Sequence, residues 1–457
     1  AGWAAGLFAA GYRTAWYYEA IPISAGLITA LNLAAVLCLL HCRVLRTDSR
    51  ATRGVLSSVG AGLAPARSWP FAAGLLTGLS AIFRPTALLW AGLVGGWLAL
   101  NGWRESRSVR FAGIFLAGVA LVIAPVAVRN RMLGGEWVLT TASGGMNFYK
   151  GNNPSAGAIY RPLPFESADP RDHAADFMRE AERRTGRRVT VSGMSDFWAA
   201  ESGRFILEQP AAWIKNVGRK AALFWHPTEI PMNFNLYFFQ QFVPLLRGPW
   251  ITFGLIAPLA LAGLALLFPS PLRGEGGVRG SWAPVLSLLL VGVLTPVLFF
   301  VNAEYRFPSA LPMMLLAGAA VGWAWDAARL ANESRARQDR SFRFVPAAVL
   351  AASVLLYNGV ALAFPYRLNF AISFANLGNA HLARGEFQPA LEAYQEAARR
   401  DPGYGGAWYN MGVAYLQMSR WADARAALEQ ALVLSPGGAD ILYNLAVVEM
   451  ESGSLSV

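Results

Sequence analysis

Apolar positions fall in long unbroken runs, at residues 1–16, 21–41, 70–83, 86–100, 111–128, 250–268, 283–301, 307–325 and 344–364. A helix rising 1.5 Å per residue needs about 20 such residues to cross a hydrocarbon core of roughly 30 Å. Most runs approach that length; 70–83 and 86–100 are short. Pro85 between them predicts a tight turn, because proline disfavours helix in the residue before it. The pattern predicts an all-α polytopic membrane bundle of about nine segments, in residues 1–128 and 250–364.

The connecting segments carry arginine at Arg43, Arg46, Arg50, Arg53 and Arg67, then at Arg104, Arg107 and Arg110, at Arg273 and Arg279, and at Arg329, Arg335, Arg337, Arg340 and Arg343. With alternating direction these clusters all fall on one side, which the positive-inside bias assigns to the cytoplasm. Residues 129–249 are then external, and read as a small domain. Residues 195–225 predict one helix, with Phe197, Phe205, Ile206, Trp213 and Ile214 interleaved with polar positions. The aromatic stretch from Trp225 to Phe242 suits a membrane interface, and residues 269–281 read as a cytoplasmic loop.

Beyond Pro365 the runs give way to amphipathic helix. Phe374, Leu377, Gly378, Ala390, Tyr394, Ala397 and Pro402 recur 34 residues later as Trp408, Met411, Gly412, Ala424, Leu428, Ala431 and Pro436. That period and those small residues are the signature of tetratricopeptide repeats. Residues 365–457 are expected to hold two full repeats and part of a third, near Leu442 and Leu445, as an α-solenoid outside the membrane. Such a stack acts as a rigid spacer or as a groove for a protein partner.

Composition agrees with a bilayer as the main solvent: 55% of the 457 residues are hydrophobic and only 15% charged, against about 25% in soluble domains. The net charge of +11 is almost all arginine. It sits in short clusters between apolar runs, not in a stripe along one face, so no nucleic-acid partner is expected. Cys38 and Cys42 lie one helical turn apart, poorly placed for a disulfide and too few for a structural zinc site. No nucleotide-binding Walker loop, metal-spaced Cys/His cluster or nucleophile elbow is present. No motif demands a cofactor, and a divalent metal ion stays open. The chain starts at Ala1 inside apolar sequence without a charged leader, so earlier membrane segments are expected to precede it.

Polar groups at membrane depth are the default functional candidates. Glu19 follows Trp16, Tyr17 and Tyr18; Arg84 precedes Pro85; Arg129, Asn130 and Arg131 follow an apolar run. Asn152 and Asn153 lie in the external segment, and Glu304, Tyr305 and Arg306 form a late outer loop. All fall on the external face of the expected topology. Converging arginines there suit a lipid phosphate or pyrophosphate, through forked charge-assisted hydrogen bonds. Each arginine also has a plainer reading, snorkelling to the headgroups. Glu19 has one too, as a charge at a helix N-terminus. His226, before Pro227, reads as structural.

Gly74-Leu-Leu-Thr-Gly78-Leu-Ser-Ala-Ile-Phe-Arg84-Pro85-Thr86-Ala-Leu-Leu resembles a helix pair of the GT-C membrane glycosyltransferases, of the dolichyl-phosphate-mannose protein mannosyltransferase and aminoarabinose transferase type. Ala124-Pro125 through Arg129-Asn130, followed by Ser143-Gly144-Gly145 and Gly151-Asn152-Asn153-Pro154, is similar to a second passage of that family. Glu304-Tyr305-Arg306-Phe307-Pro308 is similar to a third. The resemblance implies transfer of a sugar from a polyprenyl-phosphate donor to a protein, lipid or polysaccharide acceptor, on the periplasmic face of a bacterial inner membrane. Arg84 and Arg306 would bind the lipid phosphate, with Arg129, Asn152, Asn153 and Tyr305 as further substrate contacts. Glu19 matches an acidic position of bacterial members and is the catalytic candidate. The family's principal catalytic carboxylate is expected before Ala1, so these 457 residues alone are expected to be inactive. Two other readings compete: an enzyme like the O-antigen ligases and polymerases, and a non-catalytic membrane-anchored repeat scaffold for envelope assembly.

Overall fold

The computed structural model describes residue 5 and residues 25–40, 68–100, 106–167, 172–231, 235–248, 251–267, 277–332, 341–366, 368–436 and 438–453. Helices supply the regular structure there, with no strand among the described residues. In chain order the first of them are α1 (Ala25–Leu40), α2 (Trp69–Phe83), α3 (Ala87–Leu100), α4 (Ser106–Gly134), α5 (Gly144–Gly151) and α6 (His173–Thr185). Then come α7 (Val191–Glu208), α8 (Pro210–Phe224), α9 (Leu236–Phe239), α10 (Phe253–Leu267), α11 (Gly277–Leu298), α12 (Ala303–Asn332) and α13 (Ser341–Ala363). The repeats are α14 (Ala371–Leu382), α15 (Phe387–Arg400), α16 (Gly405–Gln417), α17 (Trp421–Leu434) and α18 (Ala439–Glu451). Two compact units result: residues 1–141, 217–229 and 245–365 form one, and residues 142–216, 230–244 and 366–457 the other.

In the first unit, small residues let helices meet backbone to backbone. A Cβ on Gly74 of α2 would lie 2.0 Å from the Phe115 carbonyl oxygen of α4, and one on Gly118 would lie 2.5 Å from that of Phe71. The Gly74–Gly78 spacing is the small-xxx-small pattern that packs helices without a hydrophobic drive between them. α10 meets α12 in the same way, with Gly263 against the Leu316 carbonyl. Trp90 of α3 is fully enclosed and donates its ring N–H to the Pro284 carbonyl (3.2 Å) and the Ser287 hydroxyl (3.0 Å), joining α3 to α11. Arg84 is extended (φ −142°, ψ 101°), so α2 and α3 are separated by a turn at Pro85, as the sequence predicts.

The number of spans is corrected. Among the described residues two helices are long and apolar enough to cross a membrane, Val109–Gly134 of 26 residues and Ala303–Trp325 of 23. Six other apolar helices there, such as Trp69–Phe83 and Ala87–Leu100, run 10–17 residues. At 1.5 Å per residue these fall short of a roughly 30 Å core. The unit nonetheless exposes large apolar side chains, among them Leu89 (63%) and Leu121 (59%).

The second unit has its own core around Trp198. Tyr149, Phe165, Phe177 and Phe197 all stand within 5.5 Å of its ring. The single helix expected over 195–225 is two, α7 and α8. They part at Gln209 (φ −131°, ψ 57°), because the following Pro210 excludes helical geometry there. The aromatic stretch divides: Phe238 is 4% exposed and packs on Phe374 (ring centroids 5.1 Å) and Phe370 (6.3 Å) of the first repeat, while Phe242 is 60% exposed. Tyr404 and Trp408, 34 residues on, pack with Tyr394 and Ala397 of the preceding repeat. Phe238 therefore takes the place that a preceding repeat occupies elsewhere in the stack. Within the repeats the small positions work as their type requires: a Cβ on Gly378 would stand 2.4 Å from the Tyr394 ring.

Candidate functional site

Arg84 follows the end of α2 and α12 begins at Ala303, 219 positions later in the chain numbering yet adjacent in space. The Arg84 guanidinium lies 5.1 Å above the Tyr305 ring, a cation–π distance. Both its terminal nitrogens donate to the Glu304 carbonyl at 3.3 Å. Asn302 fixes this end of α12 by accepting from the Tyr305 N–H at 2.6 Å. Arg84 and Tyr305 stand at a narrow crevice whose walls come from α1, α2, α3, α11 and α12. Thr86, Trp90 and Thr295 also line it. The chemistry is an arginine fork and a tyrosine beside apolar helix walls, which suits an anionic group carried on an apolar chain.

Arg306 is differently used. It is 1% exposed, and donates to the carbonyls of Phe224 (3.2 Å), His226 (2.6 Å) and Thr228 (2.9 Å) and to the Glu229 carboxylate (2.5 Å). The guanidinium also lies 3.9 Å from the centre of the Phe253 ring. These contacts make Arg306 a clamp between α12 and residues 224–229. Sequence gives no sign of this, because Glu229 sits 77 residues away.

The remaining candidates disperse. Arg129 is exposed near the end of α4, while Asn130 closes the following turn on the Val138 carbonyl at 2.8 Å. Asn152 and Asn153 belong to the second unit and are 0% and 2% exposed. Asn152 donates to the Phe148 carbonyl and accepts from the Trp213 ring N–H, each at 2.9 Å. Asn153 donates to Tyr149 and accepts from the Ser155 backbone and hydroxyl. Their amides hold a turn. Glu19 lies outside the described residues.

Buried ionisable groups missed in the sequence form a second constellation, behind that turn. Lys150 meets Glu166 at 2.6 Å, and Glu166 also accepts from the Tyr160 hydroxyl and the Leu163 N–H, both at 2.7 Å. His173 Nδ1 stands 3.3 Å from the Lys150 ammonium. Burial, first, and the Glu166 charge drive the Tyr160 phenol far above its ordinary pKa. The network ties residues 150–167 to α6 and faces the Trp198 core, an architectural use. In the first unit, burial brings the ammonium of Lys220 on α8 down to about 8, near the range of a proton-transfer group. Among the described residues, no group of three His, Cys, Asp or Glu side chains is placed to hold a metal ion.

His226 gives the clamp a pH signature. Burial, then the neighbouring Arg306 charge, lower its pKa below 6.5, and its Nδ1 accepts from the Thr228 N–H at 3.1 Å. The unfolded chain therefore takes up this proton first as pH falls. The stabilisation is complete above about pH 6.5 and declines below it, by up to about 1.4 kcal/mol per pH unit, until the folded-state pKa is reached. Thermal unfolding at pH 7.5 and 5.5 checks this: the loss of stability on acidification should shrink in His226→Asn.

Fold and site define an all-helical protein, one unit of apolar helices bearing a crevice with a cationic mouth and another carrying a repeat solenoid. Those repeats are tetratricopeptide repeats: residues 381–433 match the family described as Tetratricopeptide repeat. No curated protein matches the chain.

Proposed function

We propose that this protein is a membrane glycosyltransferase, using a polyprenyl-phosphate sugar as donor on the periplasmic face of a bacterial inner membrane. The observation that carries the reading is the meeting of Arg84 with Glu304 and Tyr305 at one crevice. Two passages far apart in sequence, one bringing the phosphate candidate Arg84 and the other the substrate-contact candidate Tyr305, come together beside apolar walls. The exposed leucines of the same unit support lipid as its solvent. Val109–Gly134 and Ala303–Trp325 are the helices read as crossing that bilayer.

Transfer is read as inverting. A carboxylate takes the proton from an acceptor hydroxyl, and the acceptor oxygen bonds to the anomeric carbon. The bond from that carbon to the phosphate oxygen breaks, and the lipid phosphate leaves with the electron pair. Arg84 stabilises the departing phosphate. No carboxylate lines the crevice among the described residues, so Glu19 stays the candidate base. The acceptor is a protein, lipid or polysaccharide. The repeats favour a protein partner, since such repeats commonly mediate association between proteins.

The test is binding of farnesyl phosphate to the detergent-solubilised native protein. Arg84→Ala should weaken it by about 10- to 150-fold, the worth of roughly 1.5–3 kcal/mol for hydrogen bonds to a charged group. Arg84→Lys, which keeps the charge and loses the fork, should fall between. Equal affinity in all three proteins would remove the phosphate from this crevice and leave the scaffold reading in its place.

A further inference from the structure

The crevice is not only an arginine and a tyrosine. Two polar groups inside apolar helices also line it, Asn32 of α1 and Ser80 of α2. Asn32 is 4% exposed and Ser80 0%. The Asn32 side-chain oxygen and the Ser80 hydroxyl are enclosed and make no hydrogen bond. Nearby hydroxyls behave otherwise: Thr77 donates to the Ala73 carbonyl and Thr295 to the Val291 carbonyl, each at 2.8 Å. Returning a hydroxyl to the preceding helical turn is the easy solution in an apolar helix, and Ser80 does not take it. Leaving a buried polar group unmatched costs about 1–3 kcal/mol. Two of them at one crevice, on different helices and beside Arg84, mark a place built for a polar ligand.

We infer that Asn32 and Ser80 recognise the hydroxyl groups of the sugar carried by the donor, while Arg84 holds its phosphate. The chemistry selects the class. An amide oxygen accepts, so its partner brings a hydrogen, and a hydroxyl both donates and accepts; sugar hydroxyls satisfy both. Among the described residues Arg84 is the one lysine or arginine lining the crevice, so a single anionic group beside a neutral hydroxylated one fits its charge. A site made to hydrogen-bond a hydroxyl also discriminates steeply against ligands lacking it, because its own polar groups are then left unpaired. The inference rests on the crevice being the donor site, and adds that these two residues set which donor is accepted.

The experiment compares bare farnesyl phosphate with a panel of farnesyl-phosphate hexoses and pentoses, on native protein and on Asn32→Leu, Asn32→Ala and Ser80→Ala. In the native protein at least one sugar-bearing ligand should bind tenfold or more tighter than the bare phosphate. Each variant should lose that gain and keep its affinity for bare farnesyl phosphate. Without ligand, Asn32→Leu should melt no lower than the native protein, since it removes an unmatched polar group. If no sugar improves on the bare phosphate, or if the variants keep the gain, the inference falls while the donor site stands. If bare farnesyl phosphate fails to bind the native protein, or binds Arg84→Ala equally well, the donor-site reading itself falls.

Discussion

Arg306→Ala should destabilise the apolar helical unit by about 3–5 kcal/mol, the usual consequence of removing one partner from a buried ion pair. The Glu229 carboxylate, 3% exposed in its side chain, would be left without its counter-charge. The carbonyls of His226 and Thr228 would lose their shared donor as well. Glu229→Gln together with Arg306→Met should recover much of the loss, because a neutral pair no longer strands a charge. Denaturant or thermal unfolding in detergent measures both. An Arg306→Ala protein as stable as the native one, but unable to bind farnesyl phosphate, would restore the direct phosphate role expected from sequence.

Gly74→Leu should be nearly as damaging. Even a Cβ at this position would lie 2.0 Å from the Phe115 carbonyl oxygen and 3.1 Å from the Gly118 Cα. These are backbone atoms, so relief requires α4 to retreat from α2, not a rotamer change. The close contact of Gly118 with Phe71 would open with it. Overpacking costs roughly 1–3 kcal/mol where side chains can adjust and more where they cannot, so a loss of about 3 kcal/mol or above is expected. Gly92→Leu is the control, since a Cβ there meets nothing within 4 Å, and its effect should stay within about 0.5 kcal/mol. Equal stability of the two variants would show that α2 and α4 do not meet at Gly74.

What could be read in advance was whatever lies along one helix or repeats at a fixed interval. The 34-residue spacing of Gly378 and Gly412 places two helix pairs, because a small residue is required wherever Tyr394 or Leu428 crosses. The turn at Pro85 follows from local sterics alone. Pairings across the chain were hidden. Arg306 looks the same in sequence whether it faces a phosphate or Glu229, and only the fold distinguishes them. Asn152 and Asn153 stood out as polar, but polarity does not reveal that their amides close a turn on Phe148 and Tyr149. Asn32 and Ser80 are hidden for the opposite reason: each is one polar position inside a strongly apolar run. Their meaning emerges only once α1 and α2 are seen to flank Arg84.

The seating of Phe238 on Phe370 and Phe374 has a consequence for how such a chain can vary over time. The near edge of the solenoid is closed by a segment belonging to the body of the molecule. A duplicated repeat inserted there would have to displace Phe238 and rebuild its hydrophobic seat. Between repeats α15 meets α16 as α17 meets α18, and a further copy can stack on such a junction without disturbing Phe238. Unequal crossing-over within this coding region would therefore be tolerated in one direction. Related chains should differ in how many copies follow the second, and agree in how the first one begins.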